Sequence, residues 1–165
     1  MRKTKLVKLR RKREGKTNYR KRLSLLKSGK LRLVVRTSLK HVLVQVVKYE
    51  DDGDRILVSA NSSELRKYGW DNYLRNLPAS YLTGLVCGIK AKKQGLNHFV
   101  LDVGLKRLFK GNVIYTAMKG VLDSGVEVAH GEEIFPSEER LKGQHISEKV
   151  VKDFETVKAK ILKEA

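Results

Sequence analysis

The first fifty residues hold half of the chain's Lys and Arg and almost none of its acid. Met1 to Glu50 contains 18 basic residues and two acidic ones, Glu14 and Glu50. The remaining 115 residues set 18 basic residues against 16 acidic ones, so nearly all of the formal charge of +18 sits at one end. The rest of the chain reads as an ordinary folded domain, with runs such as LVV (33–35) and VLVQVV (42–47) to supply its core. A polyanion is the natural partner for such an end, because neutralised phosphates release condensed counterions.

A chain of 165 residues suits one globular domain plus a tail. The apolar share of 41% is adequate for a core. Nothing approaches the roughly 20 apolar residues of a membrane span. The basic N-terminus lacks the apolar stretch of a secretory signal. Its Arg content is shared with transit peptides, but it leads straight into a patterned helix, which argues against removal. A single cysteine, Cys87, excludes an intramolecular disulfide framework and any multi-Cys zinc site. It points to a reducing compartment and reads as a small buried hydrophobe.

Residues 1–16 read as an extended or disordered basic arm. A helix begins at Thr17, which caps it, with Tyr19, Leu23 and Leu26 at i, i+4 and i+7. It ends at Ser28-Gly29. RLVVRT (32–37) and HVLVQVVKY (41–49) form a hairpin around Ser38-Leu39-Lys40. Period-two alternation puts Arg32, Val34 and Arg36 on one face and Leu33 and Val35 on the other. Asp51 to Asp54 is a turn, and ILVSA (56–60) returns as a third strand. A short helix follows at 62–68.

Pro78 opens a helix with Leu82, Leu85, Val86 and Ile89 as an amphipathic stripe. Lys90, Lys92 and Lys93 complement its C-terminal dipole, and Gly95 stops it. HFVLDV (98–103) reads as a central strand. Asn112 caps a helix with Ile114, Ala117, Met118 and Val121 on one face. VEV (126–128) is a last short strand, and 129–146 look irregular. Ser147 caps a final helix with Val150, Phe154, Val157 and Ile161 on one face. This order gives an α/β fold: a mixed β-sheet with packed helices, a basic N-terminal extension and a C-terminal helix.

The residues resemble the large-subunit ribosomal protein L eighteen family, which binds 5S ribosomal RNA. The resemblance is carried by LLKSGKLRLVVRTSLKHVLVQVV (25–47), SANSSELRKYGW (59–70), NLPASYLTGLVCG (76–88), LDVGL (101–105), KGNVIYTAMKGVLDSGVEV (110–128) and RLKGQHI (140–146). It covers roughly residues 8–146 in order, and the YGW and YLTGL blocks look archaeal. It implies a ribonuclease-H-like α/β sandwich. It also implies a cytoplasmic protein of the central protuberance that attaches 5S rRNA to the large-subunit (23S-type) rRNA. The other 5S-binding ribosomal protein would lie nearby. No cofactor, metal, membrane or small-molecule substrate is implied. The chain divides into a basic RNA-binding arm (1–16), an α/β 5S rRNA-binding domain (17–146) and a C-terminal helix (147–165).

Matched position by position, the resemblance assigns RNA contacts to Arg10, Arg11 and Arg13 in the arm and to Thr17, Tyr19, Arg20 and Arg22 in the first helix. It assigns them also to Lys27, Ser28, Lys30, Arg32, Arg36, Ser38, Lys40 and His41 in the hairpin block. Leu31 stands where the family usually has Pro, and Leu39 where a polar residue is common. Guanidinium groups suit phosphate through paired hydrogen bonds. Tyr19 and His41 are the aromatic candidates, and so few aromatics favour recognition of RNA shape and backbone over a stacking code. Lys106, Arg107 and Lys110 form a loop that either touches a second RNA segment or is simply solvated.

The alternative is an RNA-processing or RNA-modifying enzyme built around Asp102 at a strand end. Metal-dependent RNA cleavage needs several converging carboxylates, and the other strands offer Arg, Gln and Thr instead. His130, Glu132 and Glu133 lack ligand spacing to a second His, and no phosphate-binding glycine loop is present.

Overall fold

The computed structural model describes residues 7–131 and 134–164. The Val-rich runs pair as expected. β1 (Leu31–Thr37) and β2 (Val42–Glu50) are antiparallel with Thr37 opposite Val42. The Ser38 N–H closes the turn onto the His41 carbonyl at 2.9 Å. β3 (Gly53–Asn61) completes the meander, with a bulge between Val46 and Val47 that adds twist. β3 starts earlier than the sequence pattern indicates, so Asp54 is a strand residue rather than part of a turn.

β4 (His98–Asp102) runs parallel to β1, and β5 (Glu127–Val128) parallel to β4. The sheet order is β3-β2-β1-β4-β5. Parallel neighbours need crossover connections, supplied here by α3 (Leu77–Lys93) and α4 (Val113–Asp123). α5 (Glu138–Lys142) and α6 (Glu148–Lys163) follow. The mixed sheet with packed helices and a C-terminal helix is the architecture read from the sequence.

Side-chain caps start the long helices. Asn76 accepts from Ala79 N–H, Asn112 from Ile114 and Tyr115 N–H, and Ser147 from Val150 N–H. The expected stripes on α4 and α6 are buried. Phe154 of α6 meets Tyr81 of α3 with ring centroids 5.5 Å apart, and Tyr81 donates to Asp123 at 2.7 Å. α6 therefore shares the core of the sheet domain.

α3 differs from the expected amphipathic helix. Every residue from Pro78 to Ile89 is buried, and Ala91 too. A helix apolar on all sides is a buried helix, and this one lies between the sheet and the other helices. Its Ser80 and Thr83 hydroxyls are satisfied by donating to the carbonyls of Asn76 and Ala79. Cys87 is fully buried, and burial pushes its thiol up to about 12.

α3 and α4 cross at backbone contact. A Cβ on Gly84 would lie 1.9 Å from the Ala117 carbonyl oxygen, and one on Gly120 would lie 2.1 Å from that of Tyr81. Neither backbone atom can swing away as a side chain would. Gly84→Ala is therefore expected to lower the unfolding free energy by about 3 kcal/mol or more, the upper end of overpacking costs. Urea denaturation checks this. An unchanged midpoint would mean that the helices are not in backbone contact.

The N-terminal segment also departs from expectation. Residues 10–13 form one helical turn, α1 (Arg10–Arg13), instead of an extended arm. Glu14, the single carboxylate here, lies 3.8 Å from Arg10 and 3.0 Å from Lys16 and locally offsets their repulsion. α2 (Tyr19–Leu26) begins one residue later than expected, because the Asn18 side chain caps it by accepting from Arg20 and Lys21 N–H. Its predicted apolar stripe does not form a core face: no α2 residue is buried, and Leu23 is 56% exposed.

Candidate nucleic-acid interface

The sheet face opposite the large helices carries Arg32, Val34 and Arg36 from β1 and Asp102 from β4, which pairs in register with Val34. α2 is attached to this side by charge. Arg22 Nη2 donates to Asp54 Oδ1 at 2.8 Å. The same carboxylate oxygen lies 2.6 Å from Arg32 Nη2. That Arg32 contact is close in distance but lacks hydrogen-bond alignment, and Arg32 Nε has no partner. Arg32 Nη1 donates properly to Asp102 Oδ2 at 2.9 Å.

Arg36 completes the network. Its Nη1 donates to the Val35 and Asp102 carbonyls at 2.9 and 2.7 Å, and its Nη2 to Asp102 Oδ1 at 3.0 Å. Asp102 also accepts from Gly104 N–H at 2.9 Å, which fixes the start of the next loop. Burial alone would push Asp102 upward. The Arg36 charge and hydrogen bond, the Gly104 N–H and Arg32 outweigh it and hold the carboxyl below its usual 3.8. Asp54 behaves alike: desolvation raises it, and the Arg22 hydrogen bond together with the adjacent Arg32 guanidinium lowers it below 3.8.

Between α1, α2 and the loop after β4 lies a groove of about 710 Å³. Arg11, Lys16, Lys21, Arg22, Arg36 and Lys106 line it, against one carboxylate, Asp102. Thr17, Asn18 and Ser24 add polar groups to the lining. Arg11 Nε donates to Thr17 Oγ1 at 2.9 Å, tying the N-terminal segment to the helix start. Six cations around a hollow, with the one anion already engaged, make a site for a polyanion backbone.

Of the residues assigned to RNA from the sequence, Arg11, Thr17, Arg22 and Arg36 meet in this groove. Tyr19 and Arg20 line a smaller hollow beside it with Lys12, Thr17 and Asn18. Arg10 and Arg13 are exposed on α1. Lys27 and Ser28 lie in the exposed turn after α2, where Ser28 Oγ donates to the Leu25 carbonyl. Lys30 lines a separate hollow near β5. Ser38, Lys40 and His41 form the hairpin tip, where the His41 N–H donates to Ser38 Oγ at 3.0 Å. β1 and β4 run parallel, so this tip and the loop after β4 lie at the same end of the sheet.

Arg32 is set apart from the other assigned residues by its burial. Its side chain is 3% exposed and held between Asp54 and Asp102, so it positions other groups and presents nothing outward. Of the other groove residues, Lys16, Asn18, Lys21 and Ser24 carry no assignment from the sequence, and Lys106 belongs to the loop that the sequence leaves open between RNA contact and solvent. Thr17, Lys21, Ser24 and Leu25 fall at i, i+4, i+7 and i+8, so a helical projection of the polar residues would have found the α2 members. Lys106 needed the fold, which brings β4 alongside β1.

The same geometry removes the enzymatic reading of Asp102, whose carboxylate is occupied by two guanidinium groups and a backbone N–H. Among the described residues no cluster of three His, Cys, Asp or Glu side chains could hold a metal. Glu132 and Glu133 lie outside the described residues, and His130 Nδ1 sits 2.6 Å from the Val128 carbonyl. No described helix is long and apolar enough to cross a membrane.

Comparison with known proteins agrees with a basic, non-enzymatic site. The family model described as ribosomal large subunit proteins 60S L5 and 50S L18 matches residues 3–99. The large ribosomal subunit protein uL18 of Methanoregula boonei is 48% identical over 165 residues, covering 96% of this chain and 95% of the relative. That of Korarchaeum cryptofilum is 49% identical over 141 residues, covering 86% of this chain and 72% of the relative. The alignment with the Methanoregula protein reaches into α6, beyond the segments that carry the resemblance in the sequence.

Proposed function

Since the chain belongs to the uL18 family of large ribosomal subunit proteins, we propose that its basic groove binds 5S rRNA and attaches it to the large-subunit rRNA. Membership makes it a structural, rRNA-binding constituent of the large subunit and not an enzyme. The finer reading places it in the central protuberance of a cytoplasmic ribosome, beside the other 5S-binding ribosomal protein. Within that reading residues 1–16 are an RNA-binding arm, 17–146 the 5S-binding domain and 147–165 its closing helix.

The observation that carries the proposal is the groove of six cations, two of which, Arg22 and Arg36, are held from behind by a buried ion network. A mobile basic tail adheres to any polyanion. Cations fixed on a helix, a strand and an anchored loop match one arrangement of phosphates, as backbone and shape recognition of RNA requires. Arg22 and Arg36 are oriented by Asp54 and Asp102 before any RNA arrives, which lowers the ordering cost of binding.

The test is competition. Purified protein is titrated with labelled archaeal 5S rRNA in the presence of an unrelated structured RNA of similar length. A preference of at least about tenfold for 5S rRNA at moderate salt is expected, equivalent to roughly 1.4 kcal/mol. Equal competition by the unrelated RNA would reduce the groove to a non-specific polyanion site.

A further inference from the structure

The loop between β4 and α4 carries the largest cluster of outward-facing apolar side chains within a short described segment. Phe109 is 66% exposed, Leu105 53% and Leu108 36%. The loop is not loose at its ends. Gly104, at φ +64°, has its N–H held by Asp102, and Lys106 N–H donates to the Val103 carbonyl at 3.3 Å. Gly111, at φ +70°, donates to the Ile134 carbonyl at 2.9 Å. Chain ends fixed in this way hold the intervening side chains outward, where water alone gives no reason for three large apolar groups.

We propose that this loop is a base-stacking element, with Phe109 lying against an unpaired base of the same rRNA that fills the groove. The inference rests on the rRNA-binding reading of the groove and adds a contact of a different kind. Continuity supports it, since Leu105 and Lys106 line the groove and Phe109 follows three residues on. Charge supports it too. Lys106, Arg107 and Lys110 accompany the apolar side chains, and no carboxylate lies between Gly104 and Gly111. A protein partner with an apolar pocket would have to accept the Lys106 and Arg107 cations beside it, whereas RNA offers a π-face surrounded by phosphates. Among the described residues Phe109 has no aromatic or cationic ring partner, so its face is open. Aromatic stacking on splayed bases is a general mode of RNA recognition.

The experiment measures 5S rRNA affinity and its salt dependence for the full-length chain and for Phe109→Ala, Phe109→Leu and Phe109→Tyr. Phe109 is exposed, so these variants keep the fold, and thermal melting confirms it. Phe109→Ala is expected to weaken binding roughly tenfold, within the range of one lost stacking contact, while the salt slope stays unchanged. Phe109→Tyr restores wild-type affinity. Phe109→Leu stays weak, because burial without a π-face does not replace stacking. If wild-type protein binds 5S rRNA and all three variants bind equally well, the loop does not stack and this proposal alone fails. Equal RNA affinity together with impaired incorporation into large subunits would assign the patch to a protein neighbour and likewise overturn it. A wild-type chain without 5S affinity would overturn the functional reading and the stacking proposal together.

Discussion

Asp102→Ala is expected to destabilise the fold by about 3–5 kcal/mol, the cost of removing one partner from a buried ion network. Three donors depend on that carboxylate: Arg32, Arg36 and the Gly104 N–H. Arg36 is partly exposed and can turn to water. Arg32 has 3% exposure and cannot, so its charge would stay buried with Asp54 alone. Asp102→Asn keeps an acceptor and should cost less. Chemical denaturation of the three proteins gives the order wild type, Asn, Ala. Equal stabilities would show that the network is not coupled to folding.

The network also fixes the acid limb of stability. Asp54 and Asp102 are held below 3.8 in the folded chain, whereas in the unfolded chain they titrate near it. As pH falls the unfolded state therefore takes up protons first. Their stabilising contribution is complete above roughly pH 5 and is lost progressively as pH falls through the folded values. Asp102→Asn should flatten that decline. An Asn variant with the same acid limb as wild type would place its cause elsewhere.

The second large effect concerns RNA. Neutralisation of about six phosphates by the groove would lower affinity by roughly a thousandfold between 50 and 200 mM salt, on the duplex scale. Lys21 and Lys106 are the informative positions, because neither has a side-chain ion-pair partner among the described residues. Replacing them leaves the Asp54 and Asp102 network intact. Arg22 and Arg36 serve both RNA and the fold, so their loss would mix two effects.

What the sequence made legible follows from the range of the interactions. The Val-rich hairpin, the Asn112 and Ser147 caps, and the stripes of α4 and α6 are local patterns of period two or 3.6. They were readable because neighbouring residues create them. α3 was misjudged as amphipathic because its second covered face is provided by elements far along the chain. α2 was given an apolar face because Tyr19, Leu23 and Leu26 have helical spacing, yet it is attached through Arg22 to Asp54, 32 residues away. Arg32 takes its RNA assignment from the family resemblance, which carries no information on burial. Its partner Asp102 lies 70 residues downstream, and no local pattern shows that a surface-type residue will be buried there. The groove was thus half legible: the basic α2 block was visible, but its other wall, Gly104 to Lys106, depends on β4 pairing with β1.

The most direct test of the groove is the slope of log affinity against log salt for 5S rRNA, compared between wild type and Lys21→Ala/Lys106→Ala. The double variant should melt like wild type and lose about 1.5–2 units of slope, close to one per phosphate contact removed. An unchanged slope in a folded double variant would place the RNA on another surface.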